Sequence, residues 1–144
     1  MIAVDTNLLV YAHRVDSPWH VQALRSLVSV ARLPWGLPWS CVHEFLSIVT
    51  HPRIFSPPTP LVDACKAVSG WLAAPTVQVL AETPDYWETL SRLLLESRIS
   101  GPRVHDARIA ALCMVHGIEV LWTADRDFSR FPGVATHNPL VASR

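Results

Sequence analysis

Ile2-Ala3-Val4-Asp5-Thr6-Asn7 is the stretch that decides the fold. Three apolar residues in a row read as a short buried strand, Ile2–Val4. The strand ends on a carboxylate, and Asn7–His13 then begins a helix. The same figure recurs near the far end of the chain. The run Ile118-Glu119-Val120-Leu121-Trp122 reads as a strand, and Thr123-Ala124-Asp125-Arg126-Asp127-Phe128 follows it. Between the two, helical and strand patterns alternate, which implies a parallel sheet with helices on its faces. The expectation is an α/β fold over residues 1–144 as one domain, with about four to five short strands and helices on both faces. Ligands of such sheets bind beyond the carboxyl ends of the strands, where Asp5 and Asp125 both stand.

The intervening elements follow from spacing and punctuation. Pro18–Leu33 carries Val21, Leu24, Leu27, Val28 and Ala31 at helical intervals. Trp35–Pro38 reads as a strand. Ser40 is expected to cap a helix whose apolar stripe is Val42, Phe45, Leu46 and Val49, ended by His51-Pro52. After the stiff loop Ser56-Pro57-Pro58-Thr59-Pro60, Thr59 with Pro60 is expected to open a helix to about Ala74. Val77–Leu80 reads as a strand. Thr83-Pro84 repeats the cap device before a helix to about Ser97. Val104–His116 reads as a helix stopped by Gly117, and Val134–Thr136 as a last strand.

Composition narrows the function. The chain has 144 residues, half of them hydrophobic, and equal numbers of acids and bases, twelve each. That is enough to build a core, and it is not a disordered composition. Apolar runs are broken well before the roughly 18 residues of a membrane span, and no basic region precedes the first apolar run. Three scattered cysteines, Cys41, Cys65 and Cys113, form neither a disulfide framework nor a CxxC zinc motif. A reducing cytoplasm is the expected location. If four acids were neutralised by a metal, the remaining surface would carry about four excess positive charges, almost all of them arginine.

Four acids occupy conspicuous places: Asp5, Glu44, Asp106 and Asp125. On a helix, Asp106 shares its face with Ile109, Ala110 and Cys113, where a carboxylate is costly unless paired or bound to a cation. Its structural alternative is a favourable position near a helix N-terminus. Asp5 alone reads equally well as a helix cap. Glu44 lies beside an apolar stripe and reads equally well as a solvated residue. His43-Glu44-Phe45-Leu46-Ser47 is not the zinc-protease HExxH. Asp127 is a second ligand or a cap. Gathered within a few ångströms, such acids raise one another's pKa values, and a hard cation such as Mg²⁺ or Mn²⁺ relieves the repulsion. Thr6, Asn7 and Thr123 are candidate supporting oxygens. Arg103 and His105, flanking Asp106, are candidate phosphate contacts.

Ile2-Ala3-Val4-Asp5-Thr6-Asn7, the helical Glu44, Val104-His105-Asp106-Ala107-Arg108-Ile109-Ala110-Ala111-Leu112 and Thr123-Ala124-Asp125-Arg126-Asp127-Phe128 match the PIN-domain pattern in order and spacing. The chain resembles the VapC-type toxins of bacterial toxin–antitoxin pairs. The resemblance implies a Mg²⁺- or Mn²⁺-dependent endoribonuclease acting on RNA, with Asp5, Glu44, Asp106 and Asp125 as the acidic site. Asp127 matches an acid often found beside it, and Asn7 and Thr123 match supporting polar positions. It further implies a homodimer and a cognate antitoxin that covers the groove. Two other functions compete. A phosphatase with a nucleophilic aspartate would want a second Asp two residues after Asp5, where Asn7 stands. A non-catalytic RNA-binding module on the same fold would not need all four acids.

Overall fold

The computed structural model describes residues 1–142. Five strands form one sheet in the order β3-β2-β1-β4-β5, where β1 is Ile2–Val4, β2 Trp35–Pro38, β3 Val77–Leu80, β4 Val120–Trp122 and β5 Thr136–His137. Every neighbouring pair is parallel. The chain winds outward from β1 to β2 and β3, then returns to the other side of β1 to lay down β4 and β5. With right-handed crossovers, this reversal puts helices on both faces. It also makes the β1–β4 boundary the switch point of the sheet, where the connections leave in opposite directions and open a crevice.

Between β1 and β2 lie α1 (Thr6–His13) and α2 (His20–Val30), and between β2 and β3 lie α3 (Trp39–Val49) and α4 (Leu61–Leu72). Helices α5 (Tyr86–Glu96) and α6 (Val104–Val115) return the chain from β3 to β4. The core is built from Leu8 and Leu9 of α1, Leu37 of β2, Phe45 of α3, Ile109 and Leu112 of α6 and Leu121 of β4, each under 2 % exposed. The terminator expected at Gly117 is present. Gly117 has φ +63°, Ile118 N–H donates to Cys113 O at 2.9 Å and Gly117 N–H to Met114 O at 3.2 Å. These are the two bonds of a Schellman ending, which needs a residue that accepts positive φ.

Several expected boundaries move, for identifiable reasons. Ser40 does not cap α3; the helix begins at Trp39, directly after Pro38, and the Ser40 hydroxyl has no partner among the described residues. Thr59 does not cap α4, because its hydroxyl is engaged by His13 Nε2 at 3.2 Å and Arg14 Nη1 at 3.3 Å. It ties the end of α1 to the proline loop instead, and α4 begins at Leu61. Thr83 donates to the Asp85 carboxylate rather than accepting from a helix N–H, so α5 starts at Tyr86. Helix α2 starts at His20 rather than Pro18, and α1 at Thr6 rather than Asn7. Strand β4 is trimmed to Val120–Trp122, and the last strand lies at Thr136–His137 rather than Val134–Thr136.

Gly36, in the middle of β2, has no room for a side chain. A Cβ there would stand 3.0 Å from Leu80 Cδ1, 3.2 Å from Ile118 Cδ1 and 3.3 Å from Ala3 Cβ. Gly36→Val is therefore expected to lower the unfolding free energy by about 1–3 kcal/mol, the usual cost of overpacking a filled core. Urea denaturation checks this; a midpoint equal to wild type would mean that β1, β2 and β3 can separate freely.

Candidate active site

Asp5 is both cap and site. It stands at the end of β1 as the N-cap of α1, with φ −81° and ψ 161°, and is only 4 % exposed. One carboxylate oxygen accepts from the Thr6 backbone N–H at 2.7 Å and from the Cys41 thiol at 3.8 Å. The other accepts from the Thr123 hydroxyl at 2.6 Å and the Asn7 side-chain amide at 3.1 Å. Asn7 also donates to Thr123 Oγ1 at 3.2 Å and accepts from the Ala124 backbone N–H at 3.2 Å. These bonds fasten the end of β1 to the loop after β4. Donors of this kind pull a carboxyl pKa down, yet burial outweighs them. The Asp5 carboxyl is pushed up to about 6 by burial first, against the pull of Thr123 and Thr6, with the charges of Glu44 and Asp106 pushing the same way as burial.

The other acids surround this point on three different elements. Glu44, exposed on α3, accepts from the Thr6 hydroxyl at 3.0 Å, so α1 holds it beside Asp5. Asp106 is half-buried in the first turn of α6. Burial raises its pKa, and the charges of Asp125, Glu44 and Asp127 raise it further, while Arg103 lowers it. Asp125 caps a 3-10 turn, Arg126–Arg130, by accepting from the Asp127 N–H at 2.8 Å. Asp127 is exposed and 3.8 Å from Arg103 Nη2. The four expected acids thus share one field at the carboxyl edge of the sheet.

They do not form the tight cluster expected from the sequence. Among the described residues no three His, Cys, Asp or Glu side chains approach closely enough to hold a metal ion together. The reason is visible in their partners: Asp125 is turned back to cap the 3-10 turn, and Asp127 faces Arg103. The donor chemistry nevertheless suits a hard cation. Every acid is a carboxylate. The nearby thiols lie behind the acids in the core, where burial pushes Cys41 well above its ordinary value and Cys113 up to about 12. The charged donors at this place are therefore oxygens, which suit a hard cation.

Arg103 and His105 both border the acids. Arg103 has one buried guanidinium nitrogen, Nη1, without a partner among the described residues. His105 is exposed, its Nδ1 3.4 Å from Arg108 Nη1. Between α3 and α6 opens a cleft of about 440 Å³, lined by Ser40, His43, Glu44, His105, Asp106 and Arg108 among others. Sequence reasoning left Ser40, His43 and Arg108 outside the site. A signal was there: Ser40, His43, Glu44 and Ser47 follow i, i+3, i+4, i+7 spacing, a polar stripe on an apolar helix.

A family model described as PIN domain matches residues 2–134. The chain belongs to the PIN-domain family. Within it, the chain is 36% identical over 142 residues to ribonuclease VapC43 of Mycobacterium tuberculosis, covering 97% of this chain and 96% of that protein. It is 30% identical over 138 residues to ribonuclease VapC48 of the same species, covering 94% of each. Solved structures of the family share the fold at low identity. VapBC2 from Rickettsia felis, bound to a DNA fragment from its promoter, matches with a TM-score of 0.72 at 18% identity, over 96% of this chain and 98% of that one. Mycobacterium tuberculosis VapC20, described as a sarcin–ricin loop cleaving toxin, matches with a TM-score of 0.70 at 20% identity, over 90% and 93%. The PIN-like α/β fold expected from the sequence, with about four to five short parallel strands, is present with five.

The buried Asp5 leaves a mark on stability. The folded protein keeps the Asp5 proton up to about pH 6, whereas the unfolded chain releases it near the ordinary 3.8. Between those values the folded state binds more protons, so stability falls as pH rises through the window. The difference corresponds to about 3 kcal/mol at pH 7. Asp5→Asn is expected to flatten this loss and to be at least as stable as wild type at neutral pH in EDTA. Urea melts between pH 4 and 7 measure it; parallel curves for the two proteins would mean that Asp5 is ionised throughout.

Proposed function

We propose that the chain is an endoribonuclease toxin of a toxin–antitoxin pair that hydrolyses RNA phosphodiester bonds. One observation carries the reading. The fold buries a carboxylate, Asp5, at the switch point of the sheet and surrounds it with the charges of Glu44 and Asp106. A structural cap needs no such neighbours, and near full-length likeness to VapC ribonucleases gives the arrangement its chemistry.

The cofactor of this reading is Mg²⁺ or Mn²⁺, held by Asp5, Glu44, Asp106 and Asp125, with Asp127 as a further ligand. When bound, such an ion supplies Lewis-acid chemistry, activating water and neutralising charge at the phosphate. The protein's own residues do the positioning. Asn7 and Thr123 fix the Asp5 carboxylate, and Thr6 fixes Glu44, so two acids from distant parts of the chain are aimed by one helix start. Arg103 and His105 stand where RNA phosphates would approach. The partners we assign are a cognate antitoxin and a second copy of the chain. Among the described residues no helix is long and apolar enough to cross a membrane, and the cytoplasm is where we place the protein.

The phosphatase alternative fits less well. The position where a second Asp would act as acid and base is Asn7, whose side chain is committed to Asp5, Thr123 and Ala124. A non-catalytic RNA-binding module would bind RNA equally with or without EDTA.

Asp106→Asn is expected to abolish RNA cleavage in Mn²⁺ while keeping the wild-type circular dichroism. Near-normal cleavage would remove Asp106 from the site. A second readout needs no activity. Mn²⁺ at a hundredfold excess over its Kd should stabilise wild type by about 2.7 kcal/mol and Asp5→Asn by much less. Equal shifts would defeat the carboxylate site.

A further inference from the structure

The cleft between α3 and α6 is not used by the acids alone. It shares Glu44 and Asp106 with them, so a strand whose phosphate lies at the acids continues directly into it. Its volume of about 440 Å³ lies within the roughly 300–1,000 Å³ of small-molecule sites. Three features of the lining point to one kind of occupant. The His43 imidazole lies almost parallel to the Trp39 ring, at 20° and 5.9 Å between centroids, and is itself exposed. One helical turn separates the two residues, so the imidazole is held flat from behind, as a stacking platform for a base must be. The Ser40 hydroxyl, in a residue only 8 % exposed, has no hydrogen-bond partner among the described residues. Most buried side-chain polar atoms are hydrogen-bonded, so this one is left for a ligand group to meet. On the opposite wall Arg108 pairs with no carboxylate among the described residues; its guanidinium lies against His105 and beside the Tyr86 hydroxyl, so its charge is left for an anion to meet.

We propose that this cleft is a one-nucleotide RNA subsite. It takes the nucleotide next to the cut, with its base against the His43 ring and on the Ser40 hydroxyl and its phosphate on Arg108 and His105. The proposal rests on the ribonuclease reading of the neighbouring acids and goes beyond it by naming the residues that choose where the cut falls. Contacts to base edges specify, whereas stacking and phosphate contacts position, so the residues have different signatures. Loss of Ser40 alters which base is preferred at one position, whereas loss of His43 or Arg108 weakens all sites alike.

The test compares wild type, Ser40→Ala, His43→Ala, His43→Phe and Arg108→Ala on the same total cellular RNA with Mn²⁺, sequencing the new ends. Ser40→Ala should change the base preference at one position adjoining the cut, whereas His43→Ala should weaken cleavage of every site by about fivefold or more, the size that stacking of one base carries whatever the base. Preferences at other positions should remain, and His43→Phe, which keeps a flat ring, should recover stacking. In EDTA, where nothing is cut, a labelled RNA oligonucleotide spanning a mapped site should bind His43→Ala about fivefold or more weakly than wild type. His43 is exposed, so its loss leaves the core untouched, and a melting curve verifies each variant. If Ser40→Ala cuts with the wild-type base profile and His43→Ala binds and cuts like wild type, the subsite is wrong while the ribonuclease stands. If folded His43→Ala cuts nothing yet binds as tightly as wild type, His43 belongs to the reaction and the subsite is again wrong. If wild type produces no ends beyond those of Asp106→Asn, the ribonuclease reading fails and the subsite falls with it.

Discussion

The Asp5 carboxylate is the point from which the rest of the site is hung. Its four donors come from three places in the chain: Thr6 and Asn7 in α1, Cys41 in α3 and Thr123 after β4. A buried isolated carboxylate would cost several kcal/mol. Here the donors recover much of that cost, and in doing so they lock together the strand end, the helix start and the loop that carries Asp125. The same bonds that make the charge tolerable also aim it. Burial still prevails, which is why the carboxyl titrates near 6 rather than in the usual range. A purely structural cap would serve α1 as well if it were Asn or Ser. Capping alone therefore does not distinguish an acid from Asn or Ser at this position.

Sheet topology explains why acids from distant parts of the chain gather near Asp5. At β1 the winding reverses, so α1 leaves the strand in one direction while the chain after β4 leaves in the other. The gap between them admits side chains from α3 and α6 as well. Glu44 and Asp106 enter from these two helices, one exposed and one half-buried. Had β4 been added beyond β3, Asp125 would have stood on the far side of the sheet. Strand order, more than any local motif, brings residues 5, 44, 106 and 125 into one field.

What could be read in the chain divides along physical lines. Strand β1, the stripe of α3 and the Gly117 stop were legible because each rests on local patterns: an apolar run, helical spacing, a glycine at positive φ. The three expected N-caps were not. A hydroxyl near a helix start is a cap only if nothing better is within reach. Thr59 meets His13 and Arg14 from a distant helix, Thr83 meets Asp85, and Ser40 falls inside α3 because the helix begins a residue earlier. Asp5 and Asp125 did become caps, by backbone amides next to them in the chain. Among the acids, position was legible but orientation was not. Nothing local reveals that Asp125 turns back on its own 3-10 turn, or that Asp127 lies beside Arg103. The α3–α6 cleft was half legible. Its α3 wall is a polar stripe at helical spacing, but its α6 wall depends on the packing of two helices some sixty residues apart in sequence.

The spread of the acids follows from the same balance that raises the Asp5 pKa. Bringing several ionised carboxylates into mutual contact in a partly dry crevice would set their repulsion against a folding free energy of only about 5–15 kcal/mol. The protein's own interactions resolve this by dividing the charges. Asp5 is buried and titrates late, Asp125 spends an oxygen on a backbone amide, and Asp127 is drawn toward a guanidinium. Each of these is a weak commitment except the first. An exposed pair such as Arg103 with Asp127 contributes about 0–1 kcal/mol, and a cap is worth about 1 kcal/mol. Those commitments are small enough for a ligand to reverse, whereas the Asp5 network is not. The site therefore has one fixed acid and several adjustable ones, and the fixed one sits where the fold itself converges.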